Sequence, residues 1–255
     1  MKLFTFCNEA ISSIGLSVQI STDALQETTE RFHTSIEEEG MVDTQDELAT
    51  HVGVQILKKG GNAVDAAVAV GFSLAITLPR AGNLGGGGFM LVYLQEEQKT
   101  IAVDFRTAAP KGILQDDFLF LKNNYDQRRF GYKASGVPGT VAGLIETHTK
   151  YGKLPLRKIL KPVIDQARRG IKVSYDLSQA IGSANQINLD PESSDIYFED
   201  GSPLIEHSLM TRQHLAWTIN EIASKVQQAF YEGAIAKKNI QIMVINGGHM
   251  FAKHS

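Results

Sequence analysis

The sequence predicts an α+β protein in which helices are layered on an antiparallel sheet. Three observations lead there. Two short β-forming runs, residues 89–94 and 100–105, sit side by side among many helical patterns instead of alternating with them. Between Asn62 and Pro79 lies a helix-length stretch that is small and apolar on every side, so it must be buried. The 255 residues, 43% apolar and 21% charged, suffice for a real core and suit one or two domains.

The N-terminus opens Met1-Lys2 and then Leu3, Phe4 and Phe6, like a secretory signal. Asn8 and Glu9 break that apolar region, and no small-x-small cleavage site follows, so the sequence gives export little support and leaves location open. No apolar run is long enough to span a bilayer. Three glutamates at 37–39 read as a solvated charge run. Thr44 with Glu47 predicts a capping box, and Leu48, Val52 and Ile56 give an amphipathic helix ending at Gly60. Asn62 then caps the buried helix, with Asp65 favouring its N-terminus, and Pro79 stops it. The two β runs form a hairpin across residues 95–99, apolar on both faces as in a sheet covered on both sides.

The second half reads as mainly helical. Pro138-Gly139 opens a segment that closes at Gly152, and Pro155 opens another with an apolar stripe from Leu156 to Ala167. Pro162 inside that stripe predicts a kink or break. Residues 174–186 suggest a further helix, and 187–203 a polar surface loop. Two helical stretches, 209–225 and 226–238, close this part.

Four consecutive glycines at 85–88 raise the question of phosphate binding, because bare backbone N–H groups cradle anions. The phosphate loop needs Lys and Ser/Thr after its last Gly, whereas Phe89 and Met90 follow here. The dinucleotide fingerprint runs strand, glycines, helix, and the order here is reversed. Close backbone packing, where no side chain fits, is the preferred reading.

Charge and reactive residues narrow the field. A net charge of −3 offers nothing to recruit nucleic acid or an acidic membrane surface. One cysteine, Cys7, excludes an internal disulfide and a Cys-based zinc site. The histidines at 33, 51, 148, 207, 214, 249 and 254 show no metal-binding spacing with a Glu, so no metal and no cofactor is expected. His148 reads as a surface or satisfied core residue. Asp116-Asp117 reads as a helix start, and Ser135-Gly136 is not a nucleophile elbow. Arg106, directly after the second β run, is the best single candidate. Its fork suits a bidentate grip on a carboxylate, although an Arg at a strand end also commonly makes a structural pair, here with Asp104.

Seven stretches in order resemble the gamma-glutamyltranspeptidase (glutathione hydrolase) family. They are residues 40–69, LPRAGNLGGGGFM at 78–90, Asp104-Phe105-Arg106, GYKASGVPGTVAGL at 131–144, residues 151–174, AFYEGAIA at 229–236, and Asn-Gly-Gly at 246–248. The resemblance implies the αββα fold of N-terminal-nucleophile hydrolases, here incomplete and helix-rich. It also implies cleavage of the γ-glutamyl amide of glutathione with transfer to water or an amine. The substrates implied are glutathione or γ-glutamyl compounds. Arg106 matches the family Arg that holds the α-carboxylate of the γ-glutamyl donor, with Thr107 where relatives often carry Glu. Relatives are commonly exported to the periplasm or cell surface. Residues 1–36 lie outside the resemblance, which divides the chain into an atypical segment, 1–36, and a partial large-subunit domain, 37–255.

In that family a Thr freed at a Thr-Thr-His-type site attacks the amide, its own amine acting as base. The only Thr-Thr pair here, Thr28-Thr29, precedes Glu30 and lies in the unmatched segment. Thr147 precedes His148 but falls within a predicted helix. After Asn-Gly-Gly, Met250 fits the family pattern, whereas Phe251, His254 and Ser255 do not. No catalytic residue is therefore assigned. The expectation is a chain truncated before the catalytic Thr and inactive alone: a remnant, or half of a split enzyme whose C-terminal partner carries the nucleophile.

Overall fold

Helix α1 (Glu47–Lys58) starts at Asp46, whose carboxylate accepts the Ala49 N–H at 3.0 Å. The cap is thus not the predicted Thr44–Glu47 box. Asp serves as N-cap at least as well as Thr and adds a charge that favours the helix dipole. Thr44 instead accepts the Asp46 N–H at 3.1 Å and braces the entry turn. The computed structural model describes residues 39–111, 113–114, 129–184 and 187–249, and the elements below all belong to the unit Met41–Ser255.

After Gly60, which turns the chain with φ +84°, helix α2 (Ala63–Thr77) opens at the expected cap, Asn62, and Asp65 completes a capping box with it. Eleven of its fifteen residues are buried, Val68, Ala69, Phe72 and Ile76 completely, which is what a helix without a polar face requires. It is the central helix. Helices α1, α3 (Thr140–Tyr151) and α4 (Leu156–Arg169) all pack on it. Ser73 on α2 donates to the Gln166 carboxamide oxygen on α4 at 2.7 Å, satisfying both groups in the core.

Strands β1 (Phe89–Leu94) and β2 (Lys99–Asp104) pair antiparallel, with Phe89 opposite Asp104 and Leu94 opposite Lys99. Val92 is buried, and Met90, Leu94 and Ile101 pack against the core. On the other face Phe89, Leu91 and Tyr93 are 69%, 75% and 55% exposed. The expected cover on both faces is therefore present on one only among the described residues.

Of the kink or break expected at Pro162, the break is absent: helix α4 runs through it. A proline forfeits one helical hydrogen bond, at about 3 kcal/mol. The buried residues on either side of it, Ile159, Leu160, Val163, Ile164 and Ala167, hold the helix between α2 and α7 (Gln213–Lys225). The region predicted as loop, 187–203, contains helix α6 (Pro191–Tyr197) and a two-residue hairpin, β4 (Phe198–Glu199) with β5 (Ser202–Pro203). It follows α5 (Tyr175–Ser183), which Ser174 caps. Strands β3 (Ile171–Lys172) and β6 (Leu209–Met210) pair, so residues 209–210 are not helical as predicted. The closing helices are α8 (Gln227–Tyr231) and α9 (Ala234–Ile245). The second of the two expected helices breaks near Gly233 and then runs past Lys238, because the apolar pattern resumes through Ile245. Gly247 (φ +70°) and Gly248, whose N–H reaches the Met243 carbonyl at 2.8 Å, terminate α9.

Helix α6 should have been legible: Asp190 is its N-cap and Pro191 its first residue. The Asp190 carboxyl is held below its ordinary range, chiefly by the Ser193 hydroxyl at 2.6 Å, with help from the Ser193 N–H and the Tyr132 hydroxyl and against partial burial. A carboxyl with a depressed folded value contributes stability above its unfolded value of about 3.9 and loses it as pH falls through the folded value. Asp190→Ala should cost about 1 kcal/mol in urea unfolding at pH 7 and much less at pH 2.

Candidate functional site

The segment after β2 is fixed mainly through its backbone. Pairing continues one step beyond the strand: the Phe105 N–H donates to the Gly88 carbonyl at 3.0 Å, and the Phe105 carbonyl accepts from the Gly88 N–H at 3.2 Å. Three residues on, Ala108 and Val137 exchange both backbone bonds, at 3.2 and 2.8 Å. Between these anchors the Asp104 carboxylate accepts the Arg106 N–H at 2.9 Å.

Glycines make this approach possible. A Cβ on Gly87 would sit 2.3 Å from the Thr107 nitrogen, and one on Gly139 only 2.0 Å from the Phe105 carbonyl oxygen. On α3, a Cβ at Gly143 would meet the Phe105 ring at 2.1 Å. The Gly86 carbonyl in turn accepts the Gly139 and Thr140 N–H groups at 2.8 and 3.1 Å, tying the run to the start of α3. Of the four glycines, Gly87 and Gly88 pack closely on residues 105–107, whereas a Cβ on Gly85 or Gly86 would meet only Asn83, at 3.4 and 3.2 Å.

Arg106 itself is exposed. The alternative that it pairs with Asp104 is not realised, since that carboxylate engages the Arg106 backbone. No ion pair engages its guanidinium among the described residues. A positioned backbone carrying an unpaired fork can take up an external carboxylate in bidentate fashion.

The other candidates fall away from this point. Thr147 is buried within α3 and donates its hydroxyl to the Gly143 carbonyl at 2.7 Å. His148 is nearly buried, with Nε2 2.9 Å from the Leu154 carbonyl, the satisfied core histidine of expectation. Ser135 has only a long contact to the Gly131 carbonyl, 3.4 Å. Among the described residues no group of three or more His, Cys, Asp or Glu could hold a metal ion, and no helix is long and apolar enough to cross a membrane. Cys7, Thr28, Thr29, His33, Asp116, Asp117, Met250, Phe251, His254 and Ser255 lie outside the described residues.

Two features escaped the sequence reading. The first is Asp65, taken there only as a favourable N-terminal acid. It is fully buried and accepts the N–H groups of Asn62 (3.0 Å), Lys153 (3.0 and 3.1 Å) and Leu154 (3.1 Å), with His148 Nε2 at 3.4 Å. Asn62 adds a bond to the Tyr151 carbonyl at 2.7 Å, so one motif joins α2 to the α3–α4 turn. The signal was available: a carboxylate on a helix without a polar face must find buried donors. The second is an apolar cleft of about 460 Å³ beside Gly85, walled by Tyr132, Pro138, Phe230, Tyr231 and Met243. Tyr231 closes its floor, donating to the Pro138 carbonyl at 2.9 Å and accepting the Ala142 N–H at 3.1 Å, and burial pushes its phenol up. Arg106 does not line this cleft.

Comparison with known proteins places the chain in a family. The family model described as Gamma-glutamyltranspeptidase matches residues 49–253. The glutathione hydrolase proenzyme of Escherichia coli (strain K12) is 42% identical over 221 residues, covering 85% of this chain but 38% of that protein. The crystal structure of Helicobacter pylori gamma-glutamyltranspeptidase superposes with a TM-score of 0.83 at 33% identity, over 87% of this chain and 64% of that one. The Pseudomonas nitroreducens gamma-glutamyltranspeptidase complexed with L-DON gives 0.78 at 38% identity, over 86% and 64%. The chain thus spans about two fifths of the length of such a curated relative, and its α+β fold is an incomplete, helix-rich portion of the N-terminal-nucleophile hydrolase sandwich. By sequence and by fold, this chain belongs to the gamma-glutamyltranspeptidase family.

Proposed function

We propose that this chain supplies the carboxylate-gripping half of a γ-glutamyl amide hydrolase or transferase, and that the nucleophile comes from polypeptide outside these 255 residues. One observation carries the reading: Arg106 is held by its backbone between two anchors while its guanidinium is exposed and has no ion-pair partner among the described residues. The substrate end it suits is an α-carboxylate, as on glutathione or another γ-glutamyl compound. In this reading a threonine hydroxyl attacks the γ-carbonyl, and the threonine's own amine takes the hydroxyl proton and passes it to the leaving amine. The acyl-enzyme is then resolved by water or an acceptor amine. Arg106 takes no part in bond making; it fixes the donor's distance to the attacking oxygen.

The exposed face of Phe89, Leu91 and Tyr93 supports the need for further chain, because a lone two-stranded hairpin with an apolar face lacks the cover that stabilises a sheet. The same face favours a second reading, a non-catalytic remnant that assembles with nothing. Complementation separates the two. Mixed with a nucleophile-bearing segment of a relative, the chain should release the chromophore from a γ-glutamyl anilide. Arg106→Ala in that mixture should lower kcat/KM by a hundredfold or more, about 3 kcal/mol, mostly through KM. Mixtures that never turn over would favour the remnant. Turnover indifferent to Arg106→Ala would remove this residue from the site.

A further inference from the structure

Away from Arg106, helices α1 and α4 lie side by side with a groove between them. Two adjoining hollows of about 360 and 280 Å³ share Gln55, Pro162 and Arg169 and form one continuous trough. Its walls at one end are Lys59, Lys158 and Lys161, with Arg169 further along. The only carboxylate lining it, Asp165, is taken by Lys161 at 2.7 Å. Lys59, Lys158 and Arg169 have no carboxylate partner among the described residues. This concentration of positive charge stands on a chain whose net charge is −3.

Helix stability does not explain it. Arg169 sits in the last turn of α4, where a cation is favoured. Lys158 sits in the first turn, where the dipole disfavours it, and that turn carries no acid. Lys158 and Lys161 are also like charges three residues apart on one helix. A local choice that works against the fold marks a residue kept for another reason. The lining adds a buried donor. Gln166 is 8% exposed, and its carboxamide oxygen is occupied by Ser73, so the group left to the groove is the NH2. The polar part of the lining is dominated by cations and donors, so a ligand there must bring acceptors and negative charge.

The far end selects among anions. There Leu48, Val52 and Ile171 add an apolar patch beside His51. From Lys158 to Arg169 the helix rises roughly 16 Å, the span of about five extended residues. We infer that the α1–α4 groove binds an acidic peptide segment, carboxylates against Lys59, Lys158 and Arg169 and an apolar side chain at the Leu48 end. A polyphosphate or nucleic acid would leave the apolar end unfilled.

The test is fluorescence anisotropy of the whole chain with fluorescein-labelled Glu-Glu-Glu-Glu-Leu at low salt. Saturable binding is expected, weakened tenfold or more by Lys158→Glu with Arg169→Glu, by glutamine in place of the glutamates, and several-fold by 300 mM salt. Lys237→Glu with Lys238→Glu, on the exposed face of α9, carries the same charge change and should lose less than twofold. Circular dichroism checks that both double variants keep the wild-type fold. Should the groove pair fail to fold, Lys158→Gln alone is read, with a loss of threefold or more expected. Absence of binding, equal loss in the two double variants, equal binding of the glutamine peptide, or tighter binding of inorganic triphosphate or a labelled oligonucleotide would each overturn the assignment.

Discussion

Gly139→Ala should lower the stability of this chain by about 3 kcal/mol or more, well beyond an ordinary glycine substitution. The added methyl would lie 2.0 Å from the Phe105 carbonyl oxygen, and backbone cannot yield as a flexible side chain does. Gly143→Ala should be similarly damaging, since its Cβ would lie 2.1 Å from Cγ of the Phe105 ring. The two differ in what can rescue them. In a Phe105→Ala background the Gly143→Ala loss should shrink, because ring Cγ and Cδ1, two of the three atoms in the way of the new methyl, are gone. The same background should recover nothing in Gly139→Ala. Gly182→Ala, in α5 with open space around the new methyl, is the matched control and should gain about 0.5–1 kcal/mol. Urea midpoints read all four. A Gly139→Ala midpoint equal to wild type would mean that the Arg106 segment is not seated as described.

The second large effect is expected at Asp65. Its truncation to Ala would strand the N–H groups of Asn62, Lys153 and Leu154 in a site that excludes water. Each unsatisfied buried donor costs about 1–3 kcal/mol, so a total of roughly 3–5 kcal/mol is expected, a large part of a domain's net stability. Asn62→Ala, which removes the cap and the bond to Tyr151, should cost nearer 1–2 kcal/mol. Hydrogen exchange gives the sharper readout. In Asp65→Ala the Lys153 and Leu154 amides should exchange much faster while the centre of α2 stays protected. Uniform loss of protection would indicate global unfolding, not a local latch.

Much of this architecture was readable from local rules. Asn62 and Asp65 announce a capping box, an all-apolar stretch announces burial, and two β-forming runs announce a hairpin within one residue of its true ends. The misreadings have two causes: at Pro162 neighbouring structure overruled a local signal, and at 190–191 a local start signal was passed over. Pro162 does not break α4 because the packing of Ile159, Leu160 and Val163 outweighs one lost hydrogen bond. Residues 187–203 look like loop by composition, yet Asp190 and Pro191 start a short helix there. Arg106 could be singled out from sequence as a candidate, but its seating could not. The glycines that seat it lie about 20 and nearly 40 residues away along the chain, and only the fold brings Gly87, Gly139 and Gly143 onto Phe105. The α1–α4 groove was invisible for the same reason, its cations being drawn from two helices about a hundred residues apart.

The central claim is that this polypeptide grips a γ-glutamyl donor but cannot attack it. Intact-mass spectrometry of the purified chain after incubation with glutathione tests this directly. The account predicts an unmodified mass from the chain alone and a γ-glutamyl adduct only on the complementing segment of the mixture. A glutamyl adduct on this chain by itself, mapped to any of its threonines, would contradict it.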